Sequence, residues 1–586
     1  MTKKVKMIAA LVLVVVFGIG VLTGYVTYNP VRNIYHSLRK EYEDNRNRGR
    51  DFLEQQARFE EIVTGNPNKM TTLMNGQIVK DVRGATGADD VRQIIETDEA
   101  VFYANYPEGY ALQLPAGATF DFSLGHLFTK VETAEKDMEI TISREYSPYD
   151  EIDEYFDFYL NRFVLDENYR NENRITLLEF EENASFVGVN ANLISARLEE
   201  YDGPNTYTYV LLKTGGRTFY RFMFKYEDFD RQREIIDQIL MSFFAEKLLG
   251  QTVVIQKPFE PVASPVWDEQ TLSLYEEMKV PGSKIKWGFY TGRMDTTGID
   301  EKVPEIEAAI DYKFEVLMTY FDIGMDPPIE FMKKAASQGK MIELTMHITS
   351  NSNTNMFAHT PMLDIYRGEM DDVIRDAARQ LKAIDMPFLL RLNNEMNSDW
   401  TSYSGVVNLS DPAIYKEVWR RIYRIFEEEG VHNAIWIFNP NDRNYPPCQW
   451  NNYVAYFPGE DVVQMIGVTG YNTGNYYADV FGEQWRDFKD IYAAVKEEYM
   501  QYFGQYPWII TEFATSSHGG DKQKWILEMF ENISDYENIK IAVWYSNPDM
   551  DFRPEYHGQI ARPYMLDETP ESLDAFRQGL HEYLAR

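Results

Sequence analysis

Between residues 286 and 545, eight short and almost unbroken apolar runs alternate with amphipathic helical segments, and this rhythm restricts the second half of the chain more than any other feature. The runs cover 286–291, 314–322, 341–348, 386–392, 434–439, 462–469, 508–513 and 539–545. Helical patterns follow most of them, at 299–312, 328–338, 368–384, 412–429, 483–503, 522–534 and 570–584. A strand that is apolar on both faces is covered on both, as parallel strands are when crossover helices pack over them. Eight such units close into a barrel. The expected fold is therefore α/β, a (β/α)8 TIM barrel over 283–586, with its chemistry at the C-terminal strand ends.

A chain of 586 residues exceeds what one core organises, so further domains are expected in front of the barrel. After Lys3, Lys4 and Lys6, residues 7–26 carry no charge, enough for a helix to cross a bilayer. Its C-terminal side, residues 21–28, lacks a small-x-small pair, and Tyr25 stands where a lipoprotein signal needs cysteine. Residues 1–28 thus read as an uncleaved signal anchor rather than a cleaved peptide. The lysines before the span place the N-terminus in the cytoplasm and everything after Tyr28 outside, a single-pass protein of the cell membrane. Residues 29–98 read as stalk and linker: Ile34, Leu38, Phe52, Phe59 and Ile62 are too loosely spaced for a coiled coil, and periodicity then fades. Alternation at 101–106, 110–114, 139–143, 207–213 and 217–225 predicts strands with one buried face, and a helix fits 230–243. The last two strands are joined by Thr214-Gly215-Gly216, which suits a tight hairpin. This α+β domain, 99–247, weakly resembles the Mog1/PsbP-like fold, from its opening "YPEGYALQLP" to its closing "REIIDQILMSFF", and reads as a spacer or binding module without chemistry. A linker with Pro258, Pro261, Pro265 and Pro281 fills 248–282.

Composition excludes several functions. The formal charge of −34 repels phosphate backbones, so nucleic acid is not an expected partner. Cys448 is the sole cysteine, which rules out an intrachain disulfide and the Cys/His groupings of a structural zinc site. With no phosphate-cradling glycine loop and no nucleophile elbow, neither cofactor nor metal is expected.

The ends of the predicted strands carry the chemistry. The fourth ends in Arg391, Asn394 and Glu395, followed by Trp400 and Tyr403, and the seventh contains Glu512. The sixth runs to Tyr471 and the eighth to Trp544, while Tyr290, Tyr320 and Asp322 stand near the ends of the first two. Two carboxylates at one barrel mouth, among indole and phenol rings, suit glycosidic bond cleavage. One protonates the leaving oxygen while the other attacks the anomeric carbon or activates water. Aromatic faces stack on sugar rings and amides bond their hydroxyls. At the third strand end, His347 fits either a sugar contact or a loop cap.

The segment "RLNNEMNSDW" resembles the strand-four signature of family 26 glycoside hydrolases, and "WIITEFA" resembles the nucleophile strand of that family and its clan. The resemblance implies Glu395 as acid/base, Glu512 as nucleophile, Tyr471 as the residue holding the nucleophile and Trp544 as the floor beneath the sugar. Arg391, Asn394, Trp400, Tyr403, Tyr290, Tyr320 and Asp322 complete the expected substrate contacts. Asn394 stands where the family's mannanases commonly have histidine, a departure that bears on mannan as substrate but not on the retaining mechanism. The implied activity is an outward-facing endo-β-glycosidase acting on a β-mannan, a β-glucan or the host's own exopolysaccharide. A transglycosylase in exopolysaccharide assembly and a non-catalytic carbohydrate-binding scaffold are the alternatives.

Overall fold

The computed structural model describes residues 54, 57–66, 68–80, 82, 84–245, 248–292, 294, 297–349 and 357–586. The expected signal anchor, and the stalk up to residue 53, lie outside them. Among the described residues no helix is long and apolar enough to cross a membrane.

The second half closes into a barrel of eight parallel strands. In order they are Lys286–Thr291, Val316–Asp322, Met341–His347, Phe388–Asn394, Ala434–Asn439, Met465–Thr469, Trp508–Phe513 and Ile539–Ser546. Every predicted run is a strand, and the boundaries differ by three residues at most, at the start of the sixth. Inward side chains, among them Val316, Met318, Leu389, Ile437, Met465, Ile509 and Val543, fill the barrel as a packed core. The helix Glu269–Met278, inside the stretch expected to be linker, adds Tyr275 and Met278 to that core. Its N-cap Asp268 accepts a hydrogen bond from the Thr271 backbone at 2.7 Å, and Trp267 Nε1 donates to the Ala434 carbonyl at 3.0 Å. Outward side chains pack under the helices: Trp436 lies against Trp419, Tyr423 and Phe426, and Trp287 against Phe530 and Phe576.

The domain in front contains two antiparallel sheets. One has six strands in the order Phe244–Ala245, Tyr110–Pro115, Ala100–Asn105, Val91–Glu96, Met70–Met74 and Gln77–Val79. The last three lie within the segment read as stalk and linker, so the domain begins about thirty residues earlier than its periodicity suggests. Short strands with mixed burial carry too few alternations to stand out in sequence. The other sheet has seven strands, ordered Thr119–Asp121, Thr129–Glu132, Met138–Tyr146, Thr218–Tyr226, Thr206–Gly215, Val189–Leu198 and Ile175–Phe186.

This second sheet corrects the expectation of one buried face. Leu193, Val210, Leu212, Phe222 and Phe224 face the helix Phe229–Ser242 and the first sheet, whereas Ile194, Tyr207, Tyr209, Leu211 and Met223 face the barrel. Both faces are therefore covered, which explains the almost continuous apolar run Tyr209-Val210-Leu211-Leu212. The contact is polar as well as apolar. Lys225 pairs with Asp411 at 2.9 Å, and Arg221 donates to the Ser410 carbonyl at 2.8 Å. Glu145 accepts from the backbone of Gln449 at 2.8 Å and of Trp450 at 3.2 Å. The front domain is thus seated on the loops that follow the fourth and fifth barrel strands.

Candidate active site

Parallel strands direct alternate side chains inward, so the C-terminal mouth collects residues of the same parity from each strand. Glu512, on the seventh strand, lies at the centre of a dense set of donors. Its Oε1 is 2.6 Å from the Arg391 guanidinium and accepts from the Tyr320 hydroxyl at 2.7 Å and from Asn394 Nδ2 at 3.3 Å. Its Oε2 accepts from the Tyr471 hydroxyl at 2.6 Å. Burial by itself would raise this carboxyl, but the Arg391 charge and the Tyr471 and Tyr320 hydroxyls outweigh it and hold Glu512 below the usual carboxylate range.

Glu395 follows the fourth strand with φ at +61°, a region that non-glycine residues rarely occupy. Its backbone N–H donates to the Asn439 carbonyl at 2.8 Å, which anchors the turn to the fifth strand. Asn393 is also at positive φ, +48°, so the chain bends sharply where Glu395 must face the mouth. The Glu395 Oε2 accepts from the Trp400 indole N–H at 2.8 Å. Burial, reinforced by the negative charge of Glu512, pushes the Glu395 carboxyl up to about 8. Two neighbouring carboxyl groups are therefore driven apart, one ionised and one protonated at neutral pH.

Asn394 links the two halves of the site. Its Oδ1 accepts from the Tyr403 hydroxyl at 2.9 Å and meets His347 Nε2 at 2.8 Å, which turns Nδ2 toward Glu512. Since Asn394 offers an acceptor, His347 presents N–H at Nε2, and burial lowers its pKa so that the ring stays neutral. His347 thus helps to orient Asn394. Asp322, at the end of the second strand, accepts from Thr349 at 2.6 Å and lies 3.7 Å from His347 Nδ1.

Three expected substrate contacts fall elsewhere. Trp544 is fully buried on the outside of the barrel, against Phe513, Trp525 and Phe576, with its indole N–H bonded to the Tyr564 carbonyl at 3.1 Å. Period two places its neighbour Tyr545 inward instead, paired in register with Tyr290 and stacked on it at 4.9 Å. Arg391 has no exposed surface and lies beneath the carboxylates, bonded to Thr345 at 2.7 Å and Asn439 at 3.0 Å. Tyr403 is buried too and supports Asn394. Trp400, 39% exposed, is free to meet a ligand. Tyr290, Tyr320, Asp322 and Tyr471 gather at the mouth.

The sequence reading missed Glu343, wholly buried on the third strand, with its Oε1 3.3 Å from Arg391 Nε. Burial pushes its carboxyl up to about 8. A glutamate in the otherwise apolar run Met341-Ile342-Glu343-Leu344 is the signal that could have found it. Among the described residues no group of three or more His, Cys, Asp or Glu side chains could hold a metal ion.

A closed parallel barrel with a polarised carboxyl pair at its C-terminal mouth, ringed by tyrosines, defines a glycoside hydrolase domain. Residues 295–550 match the family model described as Glycosyl hydrolase family 26. Endoglucanase H of Acetivibrio thermocellus is 30% identical over 224 residues, which cover 37% of this chain and 23% of that protein. The chain thus spans about a quarter of that relative's length. Solved structures that this chain resembles include a β-mannanase from a symbiotic protist of the termite Reticulitermes speratus, at 13% identity and TM-score 0.38, covering 55% of this chain and 96% of that one. An endo-β-1,4-mannanase catalytic domain from a Bacillus species is 16% identical with TM-score 0.40, covering 56% and 93%.

Proposed function

We propose that the chain is a membrane-anchored, outward-facing retaining endo-β-glycosidase that cleaves a β-linked polysaccharide by double displacement. Glu512 serves as nucleophile and Glu395 as acid/base. The observation that carries this reading is the pair of carboxyl groups at one barrel mouth, Glu512 held by Arg391, Tyr320 and Tyr471 and Glu395 by the Trp400 indole N–H. In the first step the Glu512 carboxylate attacks the anomeric carbon while the protonated Glu395 gives its proton to the departing glycosidic oxygen. In the second, the Glu395 carboxylate takes a proton from water, which displaces Glu512 from the sugar. Asn394 Nδ2, aimed into the mouth, suits a hydrogen bond to a sugar hydroxyl beside the reacting carbon.

The uncharged run 7–26 supports the anchor. The names of the relatives support β-glucans and β-mannans as the first polymers to try, with the host's own exopolysaccharide beside them. We carry the Mog1/PsbP-like likeness of the front domain as part of the same proposal; it brings no catalytic residue.

Azide rescue tests the roles. With an activated aryl glycoside, which needs no proton to depart, Glu395→Ala should form the covalent intermediate and then stall for want of a base. Azide should restore turnover and yield the β-glycosyl azide. In Glu512→Ala azide must attack the substrate directly and give the α-azide. The reverse pattern of products would exchange the two assignments, and no rescue in either variant would sink the double-displacement mechanism. Reducing-end assays on cello- and manno-hexasaccharides and on the host polymer read the substrate.

A further inference from the structure

The front domain carries a feature that its seat on the barrel does not require. Between Ile152 and Val164 a helical segment with a π-helical middle turn, Asp157–Asn161, projects toward the loop after the fourth barrel strand. Phe158 on that segment is 37% exposed although it is a large apolar ring. It packs with Tyr149 at 6.0 Å and Tyr159 at 4.9 Å, and the Arg162 guanidinium lies over its face at 4.2 Å. The Tyr159 hydroxyl and the Arg162 charge both face the Asp399 carboxyl. Asp399 directly precedes Trp400, whose indole bonds Glu395 and whose ring packs with Tyr445 at 5.1 Å. The Arg162 Nε is buried and meets no acceptor, a donor of the kind a buried polar group normally satisfies.

These groups follow one another from the barrel to the other domain: Tyr445 and Trp400, then Asp399, whose carboxyl the Arg162 charge faces, then Phe158 and Tyr149. Alternating ring faces with a carboxylate and a guanidinium is the chemistry that holds sugars, since rings stack on C–H faces while the charged groups bond hydroxyls. Its place beside Glu395 puts it on the side of the departing sugar chain, because the group that protonates the leaving oxygen faces the leaving group.

We propose that the front domain completes the cleft by supplying a distal subsite, built on Phe158, Tyr149 and Arg162, for the leaving-group portion of a β-linked sugar chain. The proposal rests on the glycosidase reading above. The domain is then a length sensor that favours long chains, not a spacer.

Phe158→Ala and Arg162→Gln in the full chain test it with the β-1,4-linked hexasaccharides of the panel above and an aryl disaccharide whose leaving group carries no sugar. The ratio of kcat/KM for hexasaccharide to that for aryl disaccharide should fall about tenfold in each variant, through KM rather than kcat. In the Glu512→Ala background, calorimetric titration with the hexasaccharide should show the same weakening without turnover. An unchanged ratio in both variants, with unchanged affinity, overturns the subsite. An equal loss on both substrates likewise overturns it, as it would mark a structural role. Wild-type protein that turns over neither these substrates nor the host polymer would instead overturn the glycosidase reading, and the subsite with it.

Discussion

The Arg391 guanidinium lies 2.6 Å from Glu512 Oε1, and neither side chain is more than 7% exposed. Arg391 thereby pairs with the ionised Glu512 above it, while Glu343, its carboxyl raised to about 8 by burial, lies 3.3 Å from its Nε below. A paired buried carboxylate is tolerated, whereas one stripped of its partner costs about 3–5 kcal/mol.

Arg391→Met should therefore lower stability by about 3 kcal/mol at pH 7 and raise the Glu512 pKa. The Glu512 carboxyl is depressed in the folded protein, so its contribution to stability is present above its unfolded value and is lost as pH falls through the folded one. In the variant, the acid limb of the kcat/KM profile should move to higher pH. A limb that stays in place would show that Arg391 does not set the ionisation of Glu512.

If Glu395 is the acid, as proposed, the alkaline limb reports its carboxyl, raised to about 8, and activity should fall as pH rises past that value. The Trp400 N–H bonds the charged form of Glu395 and pulls its pKa down. Trp400→Phe should accordingly shift the alkaline limb upward. A downward shift in the measured profile would contradict the hydrogen bond's role.

Asn394 is held by Tyr403 and His347 with its amide N–H groups facing Glu512. Asn394→Ala removes those preorganised donors, and kcat should drop roughly 10²-fold, as when one oriented donor is lost from a transition-state site. His347→Ala, which frees Asn394 to turn, should produce a smaller loss of the same kind. Steady-state kinetics on one substrate compare the two, and a larger effect from His347→Ala would reverse that order of roles.

At the interface between the domains, Lys225 and Asp411 are nine-tenths buried or nearly so, with side chains 11% and 3% exposed. Burial would lower the lysine and raise the aspartate, yet each holds the other in its charged form. The Asp411 pKa is depressed, so its contribution is present above its unfolded value and lost as pH falls through the folded one. The Lys225 pKa is raised, so its contribution is present below its unfolded value and lost as pH rises through the folded one. Lys225→Met should cost about 3–5 kcal/mol in urea unfolding at pH 7, and Lys225→Met with Asp411→Asn distinctly less. Equal losses in the two proteins would place the energy outside the pair.

The barrel was legible because each strand is buried on both faces and so writes a dense apolar run, 434–439 and 508–513 among them, that no neighbour has to complete. The two glutamates stood out because a carboxylate at the end of an apolar strand is out of place in a core. Three things were decided only in three dimensions. Whether Trp544 or Tyr545 faces inward depends on the parity of the eighth strand's register, which adjacent bulky rings leave undetermined in sequence. The buried Arg391 and the partners of Asn394 come from different strands, and their distances exist only once the barrel closes. The front domain's place on the loops after the fourth and fifth strands rests on pairs such as Lys225 with Asp411, 186 residues apart. Local periodicity records which face of an element is covered, and only the packed fold supplies what covers it.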